Sequence, residues 1–143
     1  MFGGIQMKIF ISQPMNGKTD DEIIKRRNEI KQYCCKIFNQ PCDFIDSFTK
    51  PDELVKKGRI AMLGHSVSLM CDADLVVFDI GWDKTHGCRV ERYVCKEYSI
   101  PIFPNGLTFK FKPNCFIALL KKSSLYAILL NPLSDTNLIP SFC

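Results

Sequence analysis

Apolar residues along this chain fall into short unbroken runs separated by stretches of helical period, an alternation that predicts strands joined by helices. Lys8 to Ser12 (KIFIS) reads as a first strand. Thr19-Asp20-Asp21-Glu22 has the form of a capping box, with Ile23, Ile30, Cys34, Ile37 and Phe38 following near helical spacing, which predicts a helix to about Phe38. Cys42 to Ile45 reads as a short second strand stopped by Asp46-Ser47. Pro51-Asp52-Glu53 opens a second helical region, with proline tolerated in a first turn. Gly58 is placed to interrupt it, and Ile60, Leu63, Val67 and Met70 carry it on to about Cys71.

Asp74 to Ile80 (DLVVFDI) is the strongest strand signal, because it is apolar on both faces, as a central parallel strand must be. A loop from Gly81 to His86 leads into a helix from Gly87 to about Tyr98, and Ile100 to Phe103 (IPIF) predicts a fourth strand. The order is β-α-β-α-β-α-β. The expected fold is therefore α/β: a doubly wound, flavodoxin-like or Rossmann-like parallel sheet of four to five strands flanked by helices. Residues 1–6 precede the first strand and read as an extension, residues 7–104 as the α/β domain, and residues 105–143 as a C-terminal segment without a clean period.

With 143 residues, one domain is expected. The net charge of +4 comes from scattered Lys and Arg, so no nucleic-acid surface is implied, whereas a small anionic ligand is compatible with it. The eight cysteines contain no C-x-x-C pair and no cleavable signal precedes them, which points to reduced thiols and a cytoplasmic protein. A zinc site from His65, Cys71, His86 and Cys88 fits no common ligand spacing, so no metal is expected. No apolar run reaches the ~20 residues that span a bilayer.

In an open parallel sheet, ligands bind beyond the carboxyl ends of the strands. Two loops with unusual content emerge there: Ser12 to Lys18, and Asp79 to Glu91. Glu91 sits about one turn into the third helix, where the dipole should keep it ionised, and Gly87 would let a ligand approach its backbone. Each feature has an ordinary counterpart. An acid in a first turn usually just complements the dipole, Asn16-Gly17 usually makes a turn, and Trp82 in a loop more often packs than stacks on a ligand.

Three segments together resemble the nucleoside 2-deoxyribosyltransferase-like family, which includes deoxynucleoside 5′-monophosphate N-glycosidases and small uncharacterised phage and bacterial proteins. They are KIFISQPMNG, LGHSVSLMCDADLVVFDI and WDKTHGCRVERYVCKEYSIPI, and the resemblance runs from Met7 to Phe103. Within it, GCRVE corresponds to the family's G-x-x-x-E, whose glutamate attacks the anomeric carbon; here that residue is Glu91. The resemblance implies cleavage of an N-glycosidic bond through a covalent glycosyl ester, resolved by water or by a second base, with no cofactor. It also implies that Ser12, Gln13, Met15, Asn16 and Gly17 wrap a 5′-phosphate, that Trp82, Thr85 and Gly87 line the substrate site, and that the protein is a homo-oligomer.

Departures from the family pattern are specific. Ser66 stands where the transferases have an Asp, Phe10 where they have a Tyr that orients the nucleophile, and Thr85 where they have an Asp that binds the base. A hydroxyl at the last position resembles the nucleotide hydrolases, which favours a nucleoside 5′-monophosphate over a free nucleoside. Ser66 and Asp79 are the expected helpers of Glu91, with His65 a further candidate. The alternative reading is a non-catalytic nucleotide-binding module, or a phage interaction protein, on the same fold.

Overall fold

The computed structural model describes residues 6–103, so the proposed C-terminal segment at 105–143 and most of the N-terminal extension lie outside the described residues. Within them the elements follow the predicted order. They are β1 (Lys8–Ser12), α1 (Asp20–Phe38), β2 (Asp43–Ile45), α2 (Asp52–Lys57), α3 (Arg59–Leu69), β3 (Leu75–Phe78) and α4 (His86–Glu97). The three strands form a parallel sheet in the order β2-β1-β3, with Ile9 opposite Phe44 on one side and Leu75 on the other.

Local chemistry accounts for the element ends. The Thr19 side chain accepts from the Glu22 N–H while the Glu22 carboxylate accepts from the Thr19 N–H at 2.8 Å, so the capping box forms as predicted. Gly58 does interrupt the second helical region. Its φ of +93° lies in a region closed to residues with a Cβ, and it divides α2 from α3. The helix expected to reach Cys71 ends at Leu69 and tightens into a 3₁₀ turn at Met70–Asp72, directly before β3.

The fourth strand is present as a single parallel bridge rather than a ladder. The Val76 N–H donates to the Pro101 carbonyl, and the Phe103 N–H donates to the Val76 carbonyl, pairing Val76 with Ile102. Pro101 has no N–H of its own to extend the pairing. Among the described residues the sheet therefore has three strands and one bridging position, fewer than the four to five strands expected.

The core lies on both faces of β1 and β3. Ile9, Phe10, Ile11, Val76, Val77 and Phe78 are each 0–1% exposed. α1 covers the sheet with Ile23, Arg27, Ile30 and Cys34, the i, i+4, i+7, i+11 stripe of one helical face. α4 does the same with Cys88, Glu91 and Cys95. Both stripes contain one charged residue in an otherwise apolar or thiol series, and those two residues mark the site. Among the described residues no helix is long and apolar enough to cross a membrane.

A candidate active site at the carboxyl ends of the strands

Past the last residues of β1 and β2 the packing opens into a cavity of about 750 Å³, within the range of small-molecule sites. Glu91 lines it together with Gln13, Pro14, Met15, Asn16 and Lys18 of the first loop, so the carboxylate and that loop share one crevice. Ser66, Thr85 and Gly87 line it as well. A Cβ added to Gly87 would meet nothing closer than Leu63 Cδ1 at 3.9 Å, so packing does not demand glycine there and the bare backbone borders open space.

Glu91 is 7% exposed, and Ser12 Oγ donates to its Oε2 at 2.5 Å. Burial pushes the carboxyl upward from its ordinary value, while the Ser12 hydrogen bond, Lys50 and Arg27 pull it back. This corrects the expectation that the helix dipole holds Glu91 ionised. It is the sixth residue of α4, beyond the exposed N–H groups of the first turn, and its charge depends on one hydroxyl and two nearby cations. It also changes the role of Ser12, whose hydroxyl is committed to the carboxylate rather than to a phosphate.

Four expected site residues lie off the cavity wall: Ser12, whose hydroxyl holds Glu91, and Asp79, Trp82 and Gly17. Asp79 is held by Arg26, which donates from Nη2 at 2.7 Å and from Nε at 3.0 Å, and it also accepts from the Ile80 N–H at 2.8 Å. That fixes the start of the loop after β3 and commits the Asp79 carboxylate to Arg26 and the backbone. Trp82 packs edge-on against Phe78, with centroids 5.7 Å apart, and carries the Arg92 guanidinium over its ring at 4.4 Å, so it is a packing residue. Gly17, at φ +78°, is exposed and completes a turn closed by the Lys18 N–H to the Met15 carbonyl. Phe10, where the resemblance would call for a tyrosine, is fully buried in the core.

Two residues missed from the sequence are central here. Arg27 is 5% exposed on the sheet-facing side of α1 and donates to Ser47 Oγ at 2.9 Å, while Ser47 donates to the Ile11 carbonyl. Lys50 donates to Ser66 Oγ at 2.6 Å. The turn carrying Ser47 and Lys50 is built by Asp46, whose carboxylate accepts from the Phe48 and Thr49 N–H groups at 2.9 and 3.1 Å. A signal existed for both. Asp46 to Lys50 is a polar run past the carboxyl end of a strand, and Arg27 is a charge set in an apolar helical stripe.

Arg27, Lys50 and Glu91 all line the cavity, and each hydrogen-bonds a serine rather than an opposite charge. Among the described residues neither cation makes an ion pair within 4 Å. Burial lowers the affinity of both for their protons. With Lys18, Arg59 and Lys84 also on the wall, against Asp20 and Glu91, the cavity is positively charged and suited to an anion.

Cys88 lines the same cavity, but burial pushes its thiol up, so it is no thiolate competitor to Glu91. Among the described residues no group of three or more His, Cys, Asp or Glu side chains is placed to hold a metal ion. Comparison of the chain with protein-family models, with curated proteins and with solved structures finds no match.

Proposed function

We propose that the protein cleaves the N-glycosidic bond of a (deoxy)nucleoside 5′-monophosphate or nucleoside, with Glu91 as nucleophile. The observation that carries this reading is the placement of a buried carboxylate and the Gln13–Asn16 loop on one positively charged cavity. Glu91 attacks the anomeric carbon, the base departs with the bonding electrons, and the sugar remains as a glycosyl ester. Water then releases it in a hydrolase, or a second base does so in a deoxyribosyltransferase. The cationic wall neutralises the 5′-phosphate, and Ser12 orients the carboxylate, a task that the resembling family gives to a tyrosine at the position of Phe10.

The same reading includes a doubly wound sheet extended to four or five strands, a cytoplasmic homo-oligomer, and a small nucleotide rather than a nucleic acid as partner. The order β2-β1-β3 followed by the bridge at Ile102 supports that winding, since it matches the flavodoxin-like pattern.

The test is to incubate the purified protein with deoxynucleoside and ribonucleoside 5′-monophosphates and the parent nucleosides, following free base by chromatography. Wild type releases base, 5′-phosphates outperform nucleosides, and Glu91→Gln loses about 1,000-fold or more in rate. Binding without release, unchanged in Glu91→Gln, would instead identify a nucleotide-binding module.

A further inference from the structure

Ser66 and Lys50 are an unusual couple to find facing a nucleophilic carboxylate. Ser66 is 6% exposed on α3 and lines the cavity. Its oxygen accepts from Lys50 Nζ at 2.6 Å, which leaves the hydroxyl proton free to point at a ligand. Lys50 reaches the site from the loop after β2, so the pair joins two separate elements at the cavity that Glu91 of α4 also lines. We propose that Ser66 and Lys50 form a proton relay for the departing base, an inference that rests on the role assigned to Glu91 above.

The relay balances in both half-reactions. As the Glu91 oxygen bonds to the anomeric carbon and the carbon–nitrogen bond breaks, the base takes the Ser66 hydroxyl proton, and Lys50 replaces it from its ammonium. Lys50 is then a neutral amine. When water attacks the glycosyl ester, its proton passes to Ser66 as the Ser66 proton returns to Lys50, and the Glu91 carboxylate leaves with its electron pair. Enzyme groups end as they began.

The electrostatic setting suits a lysine that gives up and regains a proton. Burial lowers its affinity for the proton, Arg27 of α1 lowers it further, and Glu91 of α4 and Asp46 raise it. Forming the glycosyl ester removes the Glu91 charge, so the intermediate favours the neutral amine at the step that needs it.

The experiment measures base release from the four common deoxynucleoside 5′-monophosphates, then from the best of them beside its fluorinated base analogue (2-fluoro for a purine, 5-fluoro for a pyrimidine). The fluorinated base departs with less need of a proton. Lys50→Met and Ser66→Ala each lower kcat about 100-fold on the ordinary nucleotide, with KM changed by about threefold at most, and recover most of that loss on the fluorinated one. The alkaline limb of the wild-type kcat–pH profile disappears in Lys50→Met, and Lys50→Arg does not rescue the rate, because a guanidinium keeps its proton.

Equal losses on both leaving groups, an unchanged rate in Lys50→Met, or full rescue by Lys50→Arg would each overturn the relay while Glu91 stands. Absence of base release from wild type, or undiminished release by Glu91→Gln, would remove the Glu91 reading and the relay with it.

Discussion

The two ends of β1 and β3 obey opposite rules. Along their length Ile9, Ile11, Val76, Val77 and Phe78 bury apolar surface and nothing else, which is what holds the sheet together. At the carboxyl ends of the three strands, and on the helices facing that end, are the buried polar residues Ser12, Gln13, Arg27, Ser47, Ser66, Asp79 and Glu91. Desolvating such groups costs stability, and the serines offset only part of the cost. In this molecule stability and candidate chemistry are thus separated along the strand axis, a few residues apart.

Substitutions on either side should move stability in opposite directions. The largest effect is expected in the strand region. Phe78→Ala removes a ring that is fully buried between α4 and the sheet and should cost about 3–5 kcal/mol, read as a shift in the urea unfolding midpoint. The smaller effect, of opposite sign, belongs to the cavity, where Glu91→Gln should stabilise the fold at neutral pH.

The sign follows from the raised proton affinity of Glu91 in the folded chain. Between its ordinary value and the folded one, the native state keeps a proton that the unfolded chain has lost, so stability falls as pH rises through that window. Unfolding curves taken at a series of pH values should show the Glu91→Gln advantage absent below the ordinary glutamate range, growing through the window, and level above it. A variant less stable than wild type at neutral pH would mean that the cavity contributes to folding as the strands do.

Much of this arrangement was legible because it is local. The capping box at Thr19, the interruption at Gly58 and the unbroken apolar run of β3 each depend on a few adjacent residues and formed as the sequence predicts. Glu91 and the first loop were legible by position, since both fall past strand ends. What escaped was long-range. Arg26 reaches Asp79 across 53 positions, and Ser12 reaches Glu91 across 79, so neither partnership leaves a trace in spacing. Lys50 and Ser66, 16 positions apart, meet because the Asp46 turn and α3 converge on the cavity. The fourth strand fell short for a related reason. Its pattern is strand-like, but pairing depends on available N–H groups, and Pro101 lacks one.

The central claim is that the Glu91 carboxylate forms a covalent bond to the sugar. It is tested most directly by mass spectrometry of peptides from protein quenched during turnover of a 2′-fluoro nucleoside 5′-monophosphate, whose glycosyl ester breaks down slowly. The account predicts a peptide containing Glu91 heavier by one fluorinated sugar phosphate, and no such adduct in Glu91→Gln. Base release by wild type with the adduct on another residue, or with no adduct at all, would contradict it.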